Sequence, residues 1–229
     1  VQELEPGPCS EEILGFLLRA LESEYELRLA RKRLNAIRIA GFPTMKRFDE
    51  VVVDLLPDDG RAYLSVLKQL QFIEEHQNIL MIGNSGTGKT HLAIATGVLA
   101  CEQGYRVMFK TTAGLVNELV EAKQERRLTY LLRQLKRVDL LILDELGYIT
   151  FDLAGAELLF QLLASRYETG STMITSNLVF SEWVKIFHDK ALTAALLDRI
   201  THRALVLNMA GTSFRQRETP KGSSGRRQK

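Results

Sequence analysis

A short apolar run of β type, Ile79-Leu80-Met81-Ile82, breaks into Gly83-Asn84-Ser85-Gly86-Thr87-Gly88-Lys89-Thr90 and then into the helical run His91-Leu92-Ala93-Ile94-Ala95. Few folds accommodate this order of strand, glycine-rich loop and helix. Glycines let the backbone curl until successive N–H groups point inward, and the positive end of the following helix adds to the same field. Such a nest takes a polyphosphate. Lys89 supplies a point charge for the β- and γ-phosphates, Thr90 offers a hydroxyl to Mg²⁺, and His91 is a first-turn helix residue rather than an acid or base. The expected nucleotide set is therefore Gly83 through His91, with ATP and Mg²⁺ as cofactors.

After Asn78 short β-type runs alternate with helical stretches, at 79–82, 106–109, 138–143, 172–175 and 204–207. Leu140-Leu141-Ile142-Leu143 is apolar throughout, which suits a strand buried on both faces of a parallel sheet covered by helices. This predicts an α/β fold with a five-stranded parallel sheet. Between the second and third strands the segment 112–137 has room for two helices, over 113–122 and 128–136. The third strand delivers Asp144-Glu145 at its carboxyl end, where ligands bind in open α/β sheets. Asp144 is expected to orient the metal shell and Glu145 to polarise the attacking water. Thr175-Ser176-Asn177 closes the fourth strand, and Asn177 is placed to hold the lytic water or meet the γ-phosphate.

The first 57 residues read as a helical region, residues 58–219 as the ATPase domain, and 220–229 as a basic disordered tail. Leu14, Leu17, Leu18, Leu21 and Tyr25 recur at helical spacing in an amphipathic helix that runs toward Ala40, where Gly41 and Pro43 stop it. Charge is segregated along this region. Glu3, Glu5, Glu11, Glu12, Glu22, Glu24 and Glu26 precede a run of bases, Arg28, Arg31, Lys32, Arg33, Arg38, Lys46 and Arg47. No apolar run reaches the ~20 residues of a membrane span. The two cysteines, Cys9 and Cys101, have no paired spacing and read as reduced thiols of a bacterial-type cytoplasmic protein.

Gly88-Lys89-Thr90-His91-Leu92-Ala93, Leu143-Asp144-Glu145-Leu146-Gly147-Tyr148, Ser165-Arg166-Tyr167-Glu168 and Thr175-Ser176-Asn177-Leu178 with Phe180-Ser181-Glu182-Trp183 together resemble the IstB/DnaC-like AAA+ ATPases, more closely the IstB helper ATPases of insertion-sequence transposition. The resemblance runs from about Glu12 to Glu218. It implies an AAA+ P-loop domain, with Arg199 in Asp-Arg-Ile as an arginine finger for the neighbouring subunit and Arg215 in Ser-Phe-Arg as a sensor for its own. Thr150 and Val179 stand where the family tends to have proline, and Phe214 where tyrosine is common. The amino terminus is short for this family, so further residues are expected ahead of Val1.

The resemblance also implies partners: a homo-oligomer with ATP at subunit interfaces, duplex DNA, the transposase of the same element, and no membrane. Lys110, Lys123, Arg126, Arg127 and Arg133 lie in or beside the two-helix crossover and are the expected phosphate-backbone contacts, plain solvation of a charged face being the other reading. A DnaC-like helicase loader is the alternative function. A small-molecule phosphotransferase is disfavoured by the water-activating pair Asp144-Glu145.

Overall fold

The computed structural model describes residues 8–213. Helix α1 (Pro8–Ala40) leads through two 3₁₀ turns, Phe48–Glu50 and Val53–Leu55, into three short helices, α2 (Asp58–Ala62), α3 (Leu64–Gln69) and α4 (Gln71–Glu74). The alternating part follows: β1 (Asn78–Ile82), α5 (Lys89–Glu102), β2 (Val107–Thr111), α6 (Thr112–Gln124), α7 (Leu128–Lys136), β3 (Leu140–Leu146), α8 (Leu153–Arg166), β4 (Ser171–Ser176), α9 (Val184–Phe187), α10 (Lys190–Thr201) and β5 (Ala204–Asn208). The sheet has five strands, all parallel, in the order β2-β3-β4-β1-β5. Each expected strand is present, and the crossover from β2 to β3 holds the two expected helices.

Alternation along the strands splits the core into two layers. Ile79 and Met81 of β1, with Leu140 and Ile142 of β3, face α5 and the end of α1; Leu80, Leu141 and Leu143 face α6, α7 and α8. The chain leaves β1 toward β2 on one side and returns from β4 to β5 on the other. The switch point therefore lies at the carboxyl end of β1, where the glycine loop begins. Thr111, Asp152 and Asp189 cap α6, α8 and α10 by accepting the amides of Gly114, Gly155 and Leu192, each worth about 1 kcal/mol.

The amphipathic reading of α1 needs correction. The helix forms, but Leu14, Leu17, Leu18, Leu21 and Tyr25 are each at least half exposed. A helix of 33 residues is about 50 Å long at 1.5 Å per residue. Only its last turns pack, through Ala36, Ile37 and Ala40 against the layer holding α5 and β2. After Pro57 the chain forms three short helices rather than one, with Leu70 in the left-handed region (φ 60°) between α3 and α4. The expected tail, 220–229, lies outside the described residues.

Arg166, read only as part of a family string, is a buried staple. Its guanidinium donates to the carbonyls of Leu135 (2.6 Å), Val138 (3.0 Å) and Ser171 (2.7 Å) and to the Thr172 hydroxyl (3.2 Å). It thereby ties the end of α7 to β4 beneath β3. Burial pulls its pKa down to about 10, opposed by the charge of Asp139, so it remains cationic at neutral pH. Arg166→Leu would leave these carbonyls buried without a donor. We expect a loss of about 3–5 kcal/mol, read as a lower urea midpoint.

Candidate nucleotide site

The glycine loop is shaped by two left-handed residues, Gly86 (φ 78°) and Gly88 (φ 91°), and by Thr87, whose hydroxyl donates to the Asn84 carbonyl at 2.9 Å. Lys89 opens α5 and is buried. Its Nζ donates to the carbonyls of Gly83 and Asn84, both at 2.7 Å. Gly83 is required by close approach: a Cβ there would lie 2.2 Å from the carbonyl carbon of Met209, just past β5. The Met209 amide in turn donates to Ile82 at 2.6 Å. The loop is thus seated on the end of β5 as well as on β1.

Opposite the loop, the Thr90 hydroxyl donates to Asp144 Oδ1 at 2.9 Å, joining the first turn of α5 to β3. Strand parity explains this contact. Leu140 and Ile142 face the α5 layer, so Asp144 faces it too. Continued alternation would then send Glu145 to the leucine-rich α8 face. It does not go there. Leu143 pairs with Ile174 but Leu146 pairs with Ser176, leaving Asp144 and Glu145 together opposite Thr175 alone. This is a β-bulge. Glu145 takes φ 62°, at about 1–2 kcal/mol for a residue with a side chain, and becomes an exposed residue of the cavity wall. Leu146 then returns to the layer of Leu141 and Leu143.

The cavity is about 480 Å³ and mostly follows the loop. Ser85, Gly86, Gly88, Lys89, Thr90 and His91 line the phosphate end, and Glu145, Tyr148, Thr175, Ser176 and Asn177 line the far wall. Lys89, Thr90, Glu145 and Asn177 are thus brought together, and Asp144 meets them through Thr90. His91 occupies the first helical turn with its Nε2 3.3 Å from the Arg47 carbonyl.

The sequence reading missed one wall entirely. Val51, Val52 and Leu56, with Thr44, Lys46 and Glu50, close the cavity from the 3₁₀ segment between α1 and α2. Apolar side chains facing Leu92 and Ile94 suit a flat base, and the polar ones can read its edge. Pro43 and Pro57 bracket this segment, but nothing in its periodicity marks it.

Other predicted residues lie elsewhere. Arg199 is exposed on α10, its guanidinium 4.9 Å above the Phe160 ring, and does not line the cavity. Arg215 lies outside the described residues. Among the expected backbone contacts, Lys123, Arg126 and Arg133 are exposed around the α6–α7 junction. Two others are already ion-paired within the chain: Lys110 is half-buried against Glu118 at 2.7 Å, and Arg127 pairs with Glu125.

With this geometry in view, a family model described as IstB-like ATP binding protein matches residues 8–222. The chain is 39% identical over 206 residues to an insertion sequence IS21 ATP-binding protein of Pseudomonas aeruginosa, across 90% of this chain and 78% of that one. Among solved structures it resembles DnaI with a TM-score of 0.61 at 21% identity, covering 76% of this chain and 93% of the other. It also resembles the DnaC helicase loader with a TM-score of 0.56 at 24% identity, covering 74% and 96%. Those two likenesses carry the fold alone.

Gly83→Ala should force Met209 and β5 away from the loop. We expect a stability loss of about 3 kcal/mol, the upper end of overpacking costs, and loss of fluorescent-nucleotide binding at concentrations that saturate the parent.

Proposed function

The chain belongs to the IstB-like ATP-binding proteins, AAA+ P-loop ATPases of insertion sequences, and on that premise we propose that it assembles on duplex target DNA, with ATP between subunits, and recruits or stimulates the transposase of its element. One observation carries the reading. The cavity gathers Lys89, Thr90, Glu145 and Asn177 from one chain but leaves Arg199 exposed outside it. Among the described residues the cavity lining holds Lys46 and Lys89 but no arginine; a guanidinium from a second copy would add a cation for the charge that spreads over the transferring phosphoryl oxygens.

Within one chain the roles divide by position. Lys89 exchanges its loop carbonyls for phosphate oxygens. Glu145, free of the ladder and open to the cavity, takes the proton of the attacking water. Asn177 orients that water or the γ-phosphate. The oxygen donors of Thr90 and Asp144, 2.9 Å apart, fit a hard cation such as Mg²⁺, which neutralises phosphate charge when bound. On the DNA side, Lys123, Arg126 and Arg133 are exposed around the α6–α7 junction, as is the ion-paired Arg127, and DNA affinity should fall steeply with salt. In the described residues no helix is long and apolar enough to cross a membrane.

A second reading, a helicase-loading adaptor, draws on the exposed leucines of α1, a face suited to a protein partner. The two separate on nucleic acid. Turnover stimulated by duplex DNA supports the transposition role, whereas a requirement for single strands and a replicative helicase supports the loader.

Three variants test the division of roles. Lys89→Ala should lose ATP binding. Glu145→Gln should bind ATP and stay on DNA while hydrolysis falls about 10²–10⁴-fold. Arg199→Ala should bind ATP and lose about 10³-fold or more in turnover, with part of it recovered on mixing with Lys89→Ala, whose arginine can complete the neighbour's site. Full DNA-stimulated turnover by Arg199→Ala alone would show that the arginine does not act in trans.

A further inference from the structure

The bulge that aims Glu145 into the cavity is held by hydroxyls from both flanking segments. From the β2 side, Thr112 donates to the Asp144 carbonyl at 2.9 Å. From β4, Thr175 makes two bonds with one oxygen: it donates to Asp144 Oδ1 at 2.5 Å and accepts the Glu145 amide at 3.0 Å. Thr175 is 2% exposed, so water offers little competition for either bond.

We propose that Thr175 is a positioning residue for hydrolysis, its single hydroxyl fixing Glu145 in the left-handed turn while holding Asp144 beside Thr90. This deepens the reading of Glu145 as the base and rests on it. The chemistry of the side chain fits the task. A hydroxyl is both donor and acceptor, so it can serve a carboxylate and an amide at once. A carboxylate could not donate to Asp144, and an ammonium could not accept from the amide. β-Branching restricts χ1, so the oxygen is held near the bulge rather than searching for it. The position also follows from parity. Thr175 is the β4 residue between Ile174 and Ser176, the one residue that the extra β3 residue faces. Without its oxygen the Glu145 amide loses its acceptor, and the strand gains freedom to resume regular alternation. That would swing the carboxylate toward the leucine-rich face and away from the cavity.

Thr175→Val keeps the shape and removes the oxygen; Thr175→Ser keeps the oxygen. In the full chain, Thr175→Val should lower kcat about 10–100-fold, as loss of a supporting hydrogen-bond partner does, with KM and ATP affinity within about threefold of the parent. Thr175→Ser should recover most of the rate. In the nucleotide-free protein, Thr175→Val should speed hydrogen exchange of the Glu145 amide at least about tenfold, leaving Leu141 and Ile142 unchanged. Thr175→Ser should restore slow exchange. Parental kcat in Thr175→Val overturns the proposal, as does a Thr175→Ser as slow as the valine variant. Exchange accelerated evenly along β3 and β4 also overturns it, since that is plain loss of sheet stability. Glu145→Gln separates the premise: if it hydrolyses at the parental rate, Glu145 is not the base and Thr175 has no catalytic meaning, while the exchange result still decides whether Thr175 holds the bulge.

Discussion

Consecutive residues of a β-strand point to opposite faces, whereas the proposed division of roles needs Asp144 and Glu145 on the same side. The rest of the arrangement follows from how that conflict is resolved. β3 inserts one residue against β4, accepts a left-handed glutamate, and places hydroxyls from Thr112 and Thr175 around the irregular peptide. A glycine at 145 would relieve the backbone but would carry no carboxylate. Under the proposed roles the strain is tied to the chemistry: the residue that suffers it is the one whose carboxylate takes the proton of the attacking water.

The sheet order makes this local device effective. β1 lies between β4 and β5, so the glycine loop emerges at the switch point with Asp144 two strands away and Thr175 on the strand between. The Thr90–Asp144 hydrogen bond spans that interval from the loop side, and the Thr175–Asp144 bond spans it from β4. One carboxylate oxygen thus ties α5, β3 and β4 together. Arg166 does similar work at the opposite ends of the strands, where it binds the end of α7 to the start of β4. The sheet is pinned at both ends, with the more polar pin at the site.

Much of this is legible in the sequence, for identifiable reasons. The loop from Gly83 to Thr90 depends on local backbone freedom and on one helix terminus, both written in adjacent residues. The strands declare themselves because burial on both faces demands continuous apolar runs. The bulge leaves no such mark: Leu-Asp-Glu-Leu reads equally well as regular strand, and its irregularity depends on a threonine thirty residues later. The wall from Thr44 to Leu56 leaves no such mark either, because 3₁₀ turns have no useful period and only the fold brings them beside α5. The stripe on α1 failed in the other direction, since Leu14 to Tyr25 have the spacing of a packed face but lie beyond the body that would cover them. Periodicity reports what a helix can bury, not what is within its reach.

Two long cations, Lys89 inside the cavity and Arg199 outside it, are each held by contacts within the chain. Lys89 rests on the carbonyls of Gly83 and Asn84, so its ammonium is neither exposed nor stranded in a buried loop, where an unpaired charge would cost several kcal/mol. A phosphate must exchange for these bonds rather than add to them. That exchange favours ligands offering several charged oxygens over those offering one. Arg199 rests on the Phe160 ring, a contact that limits the rotamer freedom a long side chain would otherwise lose on meeting a ligand. Each cation is held by its own chain in a contact that a ligand can replace. Under the proposed assembly both contacts give way together, when a nucleotide enters one subunit and a second subunit closes over it.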